Sequence, residues 1–229
     1  MILSRIKAFY YAIEFVISVV MVVFLMWLFS SKIHAVRRFW AKTQRWLGFY
    51  SIEVVGEPKP DTQMIMINHK SMLDIVVLEE IYPKNLCWVA KKEIGDIPII
   101  GKILSIPKML PVDRSNPRAI VNLLKEAKDR IENDRVIAIF PEGTRAKGNK
   151  LLKFQSGAKV IADKLDLKVQ SVVVVGSDIM DAKKFSFKNG KIKVIYLNQI
   201  DRSDESWLEN TRSKMQAVLD IERQKTDIN

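Results

Sequence analysis

A long apolar run near the N-terminus constrains the fold of this chain more than any other feature. Residues 8–29 read AFYYAIEFVISVVMVVFLMWLF and contain a single charged side chain, that of Glu14. As a helix the run is roughly 33 Å long, against roughly 30 Å of hydrocarbon in a bilayer. It lacks the small-residue cleavage site of a signal peptide, so we expect it to be retained and to associate with a membrane. Its length fits a helix that spans the bilayer and equally one that dips in and returns.

The segment that follows, residues 30–50, interleaves aromatic residues with five cations, namely Lys32, Arg37, Arg38, Lys42 and Arg45. This pattern favours a helix that lies on an anionic phospholipid membrane, with a packed helix carrying a solvated basic face as the alternative. Two cations, Arg5 and Lys7, precede the apolar run, so the charge asymmetry predicts a protein of the cytoplasmic membrane whose main domain is on the cytoplasmic side. We therefore predict a membrane-associated helical hairpin over 1–48 and a separate folded domain over 49–229.

The net charge of the chain is strongly positive, at +11. Such a charge favours an anionic partner, which is a nucleic acid, an anionic membrane surface or a phosphorylated small molecule. We do not expect a metal site, because the chain has one cysteine, Cys87, and two distant histidines and therefore lacks the spacing of a ligand set.

After residue 50 the pattern becomes that of an α/β domain. Short β-branched segments bounded by Gly, Pro, Asp or Asn predict strands at 52–56, 64–67, 86–90, 136–140, 172–176 and 191–197. Amphipathic spacing predicts helices directly after the second of these strands and at 117–131, 157–165 and 204–223. Strands that alternate with helices indicate a mixed, largely parallel sheet that is flanked by helices.

The first loop with side chains suited to chemistry is INHKSMLD, residues 67–74. His69 follows a predicted strand, and Asp74 falls in the first turn of a predicted helix that Ser71 caps. Residues five apart in a regular helix point about 140° apart, so the two side chains meet only if His69 folds back from a turn before the helix. In that case one ring nitrogen is held by the carboxylate and the other is free as a base. Otherwise Asp74 is a carboxylate favoured by the helix dipole.

The second such loop is FPEGTRAKG, residues 140–148, directly after a predicted strand. It brings together hydrogen-bonding groups and a guanidinium that suit a phosphate, and these belong to Glu142, Gly143, Thr144 and Arg145. On composition alone, an ordinary strand-to-helix turn would contain the same residues. Arg114 lies in a third post-strand loop, where an exposed surface arginine is the alternative interpretation.

Taken together, NHKSMLD at 68–74 and FPEGTR at 140–145 resemble the glycerolipid acyltransferase family, above all its bacterial 1-acyl-sn-glycerol-3-phosphate acyltransferases. The resemblance runs from about residue 68 to 175 and includes the blocks AKKEIGDIPIIGKIL, LPVDR and LLKFQSGA. One departure is the segment VQSVVVVGS, which lacks the proline usual in the family's fourth block. We therefore expect this chain to differ from the family at the wall that binds the acyl donor.

The resemblance implies transfer of an acyl chain to the sn-2 hydroxyl of lysophosphatidic acid, which gives phosphatidic acid. His69 would act as general base and Asp74 would orient it, while Arg114 and residues 142–145 would bind the acceptor. Lys91 and Lys92 are weaker candidates for the phosphate. The acyl donor would be a thioester of coenzyme A or of acyl carrier protein, and no further cofactor is implied.

Two alternatives to this interpretation differ in their consequences. A related acyltransferase would act on glycerol 3-phosphate, a lysophospholipid or a lyso-aminolipid. A non-enzymatic protein that binds membrane or nucleic acid would explain the charge but neither of the two loops. Since the two loops favour the enzyme, we expect no nucleic-acid partner. A serine lipase is disfavoured because the chain contains no Gly-x-Ser-x-Gly sequence.

Overall fold

The computed structural model describes residues 2–113, 119–181 and 184–227, and its centre is a β-sheet. The strands of the sheet are β1 (Tyr50–Val55), β2 (Met64–Ile67), β3 (Leu86–Lys91), β4 (Leu110–Val112), β5 (Val136–Ile139), β6 (Val169–Val175) and β9 (Gly190–Gln199). A separate two-stranded ribbon is formed by β7 (Met180–Asp181) and β8 (Ser186–Phe187). The large sheet has the strand order β1-β9-β6-β2-β5-β3-β4.

The sheet is mixed and mostly parallel, which confirms the predicted fold class. Strands β6, β2, β5, β3 and β4 are parallel neighbours, whereas β9 pairs antiparallel with β6 and parallel with β1. The four residues of β2 and the four of β5 are buried, as expected for central strands covered on both faces. The carboxyl ends of β2 and β5 therefore lie side by side, and the loops that follow them share one edge of the sheet.

The longer helices of the domain agree with the predicted pattern apart from their ends, whereas the short α4 (Lys102–Ser105) was not predicted. The longer helices are α3 (Leu73–Ile81), α5 (Ala119–Glu132), α6 (Ser156–Lys164) and α7 (Trp207–Asp227). The predicted helix at 117–131 begins among residues 114–118, which lie outside the described part of the chain. Strands β4, β7 and β8 are absent from the sequence prediction, because each is only two or three residues long and shows no alternation.

The N-terminal segment forms two helices, α1 (Ile2–Leu28) and α2 (Ile33–Gly48). One side of α1 packs on the rest of the protein through Tyr11, Val19, Val22 and Met26, and the Tyr11 ring meets Phe187 edge to face at 4.6 Å. The opposite side exposes large apolar residues along the whole helix. By length and composition α1 is able to cross a membrane.

The single carboxylate of α1 has polar partners on α2. Gln44 is fully buried, and its Nε2 donates to Glu14 Oε1 at 2.8 Å and to Ser18 Oγ at 3.0 Å. The Trp40 indole also donates to Ser18 Oγ, at 3.2 Å. Because burial of an unpaired polar group costs free energy, this network lowers the cost of Glu14 in an apolar helix, although Glu14 Oε2 and Gln44 Oε1 have no hydrogen-bond partner among the described residues.

Helix α2 packs on the domain with one side and exposes aromatic side chains on another. The Arg37 guanidinium is buried in an ion pair with Glu79 of α3, and Arg45 pairs with Glu80 at 2.8 Å. These two cations therefore attach the hairpin to the domain, and the prediction that this helix places its cations on an anionic membrane is wrong for them. Large aromatic side chains remain exposed on α2 at Phe39 and Trp46, as suits a membrane-facing side.

Candidate active site

His69 lies in a turn between β2 and α3, residues 68–72, which we call the His69 turn. Asn68 at its start is fully buried. Its side-chain amide donates to the Val174 carbonyl oxygen at 2.9 Å and accepts the Val174 amide at 2.7 Å. Asn68 thereby joins the end of β2 to β6 where regular pairing stops. Helix α3 starts only after the turn, so His69 is free to point away from the helix axis.

The Asp74 carboxylate organises the His69 turn. Asp74 is fully buried, and its Oδ2 lies 2.9 Å from His69 Nδ1. The same oxygen accepts the backbone amides of Lys70 and Ser71 at 2.7 and 2.9 Å. The cap residue of α3 is Met72, which makes no side-chain capping bond, whereas the predicted cap residue Ser71 accepts the Leu73 amide at its Oγ at 3.4 Å. The carboxylate thus binds two amides of the turn that precedes the helix, and it favours the tautomer that carries its proton on Nδ1.

A second segment holds the His69 turn from the other side. This segment, residues 140–155 between β5 and α6, is called the Glu142 loop here. Glu142 is 2% exposed, and its Oε1 accepts the His69 amide while its Oε2 accepts the Leu152 amide, both at 2.8 Å. The Ala146 amide donates to the His69 carbonyl oxygen at 2.8 Å. Burial raises the pKa of the Glu142 carboxyl.

An aromatic stack fixes the plane of the imidazole. The Phe140 ring lies parallel to the His69 ring, with 3.8 Å between centroids and 14° between planes. The Trp88 ring stacks on Phe140 in turn, at 5.3 Å. Sequence reasoning missed Phe140 and Asn68 as positioning residues, although each directly adjoins a motif residue and each stands where a buried strand ends.

His69 lines a large, mainly apolar cavity of about 1130 Å³. This volume exceeds the roughly 300–1,000 Å³ of typical small-molecule pockets. Its walls come from α1, α3, α5, α6 and the segment between β3 and β4, with apolar side chains that include Val16, Val19, Met72, Ile75, Ile100 and Leu123. Such a cavity suits a long hydrocarbon chain whose polar end lies near the histidine.

The predicted site residues divide into those that line the cavity and those behind it. Besides His69, the lining includes Gly143, Thr144 and Arg145. Asp74 and Glu142 are buried behind the histidine and act on it from there. Arg114 lies outside the described residues.

The rim of the cavity also carries charged side chains. Lys91 and Asp113 also line it. Lys91 pairs with Glu93 at 3.2 Å, and Lys92 pairs with Asp113 at 2.5 Å.

Residues 169–175, where the expected proline is missing, form a central strand of the sheet and are not among the lining residues that the structure describes. The expected change in the cavity wall is therefore not found there.

A histidine held by a carboxylate, beside a cavity of lipid size at the carboxyl ends of parallel strands, defines an enzyme that acts on long-chain substrates. Comparison with known proteins gives the family. The family model described as Acyltransferase matches residues 51–175. This chain belongs to the acyltransferase family.

Individual relatives agree with this assignment. A 1-acyl-sn-glycerol-3-phosphate acyltransferase of Helicobacter pylori is 39% identical over 170 residues, which are 72% of each chain. A chloroplast enzyme of the same description from Arabidopsis thaliana is 32% identical over 195 residues, covering 82% of this chain and 54% of the relative. The crystal structure of the 1-acyl-sn-glycerophosphate acyltransferase PlsC from Thermotoga maritima superposes with a TM-score of 0.78 over 97% of both chains, at 20% identity. That last match shows the shared fold.

Proposed function

We propose that this enzyme transfers an acyl chain from a thioester to the sn-2 hydroxyl of 1-acyl-sn-glycerol 3-phosphate, which produces phosphatidic acid. The observation that carries the proposal is His69, which is held at Nδ1 by Asp74 and lines a cavity of lipid size. The acceptor is proposed from the names of the relatives, which specify the same acceptor in bacteria and plants.

The chemistry follows from the geometry around the imidazole. The free Nε2 takes the proton of the acceptor hydroxyl as its oxygen attacks the thioester carbonyl carbon. The tetrahedral intermediate then collapses, the C–S bond breaks, and the imidazolium returns its proton to the departing sulfur. The Asp74 carboxylate stabilises the imidazolium between these two steps, as in other histidine–carboxylate pairs. The fixed position of the base supplies roughly 10²–10⁴-fold of the rate.

Binding of the acceptor phosphate falls to the groups at the rim of the cavity. Arg145 offers two parallel N–H donors, which is the geometry that phosphate oxygens prefer. Thr144 adds a hydroxyl, and Gly143 has a φ of 72° that lets the backbone turn tightly beside it. We assign Arg114 the same role, since Val112 and Asp113 just before it line the cavity.

The membrane supplies the acceptor, and the hairpin meets that membrane. Because one side of α1 packs on the domain over most of its length, the helix fits an orientation in which it enters one leaflet with its exposed apolar side. The cations Lys32 and Lys42 then lie near anionic lipid headgroups on the cytoplasmic side. The acyl donor is a thioester of coenzyme A or of acyl carrier protein, and it places its chain in the cavity.

An acyl-transfer assay with the purified full-length chain tests the proposal. The assay presents a labelled acyl thioester and one acceptor at a time: lysophosphatidic acid, glycerol 3-phosphate, a lysophospholipid or a lyso-aminolipid. We expect transfer to lysophosphatidic acid, loss of transfer in His69→Ala, and normal transfer in the matched control His34→Ala. Preference for another acceptor would revise the substrate, and turnover in His69→Ala would remove the base.

A further inference from the structure

The loop between β3 and α4 holds an isoleucine in a backbone conformation that isoleucine rarely adopts. Ile99 has a φ of 64°, and the Ile100 amide donates to the Pro98 carbonyl oxygen at 2.7 Å. A hydrogen bond between residues two apart, around a positive φ, forms the strained type of γ-turn. A β-branched residue makes such a φ an outlier. Strain of this kind persists where a segment has a function.

The rest of the loop maintains this turn. The Gly101 amide donates to the Ile97 carbonyl oxygen at 2.8 Å. A Cβ atom on Gly101 would lie 2.1 Å from the Gly95 carbonyl oxygen, so only glycine allows the two ends of the loop to approach this closely. The loop is therefore tightly closed, and its tip projects outward.

Burial within the protein does not explain why isoleucine side chains occupy the tip of the loop. Ile97 is 44% exposed and Ile99 is 54% exposed. In water alone, glycine or asparagine at position 99 would relieve the strain and give up only the part of the side chain that is buried. A strained and exposed isoleucine makes physical sense if it becomes buried in an apolar phase outside the protein. The exposed charged side chains of Asp96 and Lys102 flank the tip in the sequence, and charges in these positions favour headgroup depth over the hydrocarbon core.

The loop is continuous with the apolar surface of the hairpin. Helix α4, which follows the loop, packs against α1. Ile94 and Ile100 line the same cavity as Val16 and Val19 of α1. The inner side of the loop is thus part of the cavity wall, while its outer side carries the two exposed isoleucines.

We propose that the loop tip, residues 97–99, is a second membrane contact that inserts among lipid headgroups beside α1. The inference rests on the proposed function only because both assume that the protein binds a membrane. With contacts at both α1 and the loop, the protein meets the bilayer along the wall of its cavity. Hydrocarbon chains then pass between bilayer and cavity with little exposure to water.

Vesicle binding of the full-length chain tests the second contact. The probe is a vesicle of phosphatidylcholine and phosphatidylglycerol, and the readout is the bound fraction after sedimentation. In the double variant Ile97→Asp/Ile99→Asp we expect partitioning to fall about tenfold, because two apolar contacts are lost and charge enters the headgroup layer. The matched control is Ile221→Asp on α7, where an isoleucine is similarly exposed, at 53%. This variant should bind vesicles normally.

A second variant separates membrane contact from folding. Ile99→Gly accepts the positive φ without strain, so its unfolding temperature in detergent should stay equal or rise. Its vesicle partitioning should nevertheless fall. Unchanged partitioning in both loop variants would overturn the proposal, as would a lower unfolding temperature in Ile99→Gly or a change in oligomeric state in the double variant. If the unsubstituted chain shows no acyl transfer, the proposed function fails while the partitioning result still decides this inference.

Discussion

The His69 turn and the N-terminal hairpin satisfy opposite physical demands. In the turn, hydrogen bonds hold the histidine from two sides: Asp74 holds the ring nitrogen, and the Glu142 loop binds both the amide and the carbonyl oxygen of His69. In the hairpin, α1 exposes apolar side chains on one side and is attached on the other through packing and a few polar links. The turn is specified by hydrogen bonds, whereas the outer surface of the hairpin is specified by apolar area.

This difference is the one that the proposed roles of the two regions require. A general base works only when its ring orientation and tautomer are set before the substrate arrives. A surface that meets fluid lipid needs apolar area and no fixed partner. Substitutions should therefore have sharply different effects in the two regions, with loss of rate in one and loss of attachment in the other.

The largest effect is expected from Asp74→Asn. The asparagine keeps its oxygen where the Lys70 and Ser71 amides and His69 Nδ1 need an acceptor, but it loses the negative charge that stabilises the imidazolium. We expect kcat to fall by about 10³–10⁴-fold, with a small change in KM. Steady-state kinetics with lysophosphatidic acid measure the effect, and the thermal unfolding temperature serves as the folding control. A kcat within about tenfold of the unsubstituted enzyme would show that the Asp74 charge does not stabilise the imidazolium.

The next largest effect concerns the link between the hairpin and the domain. Arg37→Met leaves Glu79 as a buried charge with its strongest partner removed, and such a change destabilises proteins by about 3–5 kcal/mol. Arg37→Met combined with Glu79→Gln should recover part of that loss, because neither charge then remains. Denaturant unfolding in detergent measures all four chains of this double-mutant cycle. Strict additivity would mean that the ion pair does not couple the hairpin to the domain.

Much of the fold was readable from the sequence because its signals are local. The buried strands β2 and β5 are continuous apolar segments, and amphipathic spacing gave the body of α5. The two motif loops also stand where parallel strands end, so their meeting at one edge followed from topology. Short strands such as β4 carry too few residues to show a period.

The rest depended on partners that are distant in the chain. Whether Arg37 faces lipid or protein is decided by Glu79, which is 42 residues away, and no local pattern reveals that pairing. The helix start also differs from the prediction, since Met72 and not Ser71 is the cap residue of α3. Asp74 reaches back from the helix to the amides of Lys70 and Ser71, and the type of residue at position 71 does not reveal that contact.

A smaller effect is expected at the rim of the cavity, between the two regions. Removal of the guanidinium in Arg145→Ala should raise the KM for lysophosphatidic acid about tenfold, as expected for a lost hydrogen bond to a charged group, and leave kcat nearly unchanged. The matched control is Lys147→Ala, which removes an exposed cation from the same loop and should leave KM unchanged. An equal rise in both variants would indicate a general electrostatic effect and not phosphate binding by Arg145.

The smallest effect is a dependence of stability on pH that originates in Glu142. Burial raises the pKa of its carboxyl above the ordinary value of 4.5, so between that value and the raised pKa the folded chain binds more protons than the unfolded chain. The contribution of this group to stability is therefore complete at lower pH and falls as pH rises through that window. Glu142→Gln cannot titrate, so the difference in unfolding free energy between the unsubstituted chain and this variant should shrink over the same window. Urea unfolding of both chains at a series of pH values tests this expectation. A difference in unfolding free energy that grew with pH would contradict it. The amides of His69 and Leu152 would then outweigh desolvation and hold the carboxylate ionised.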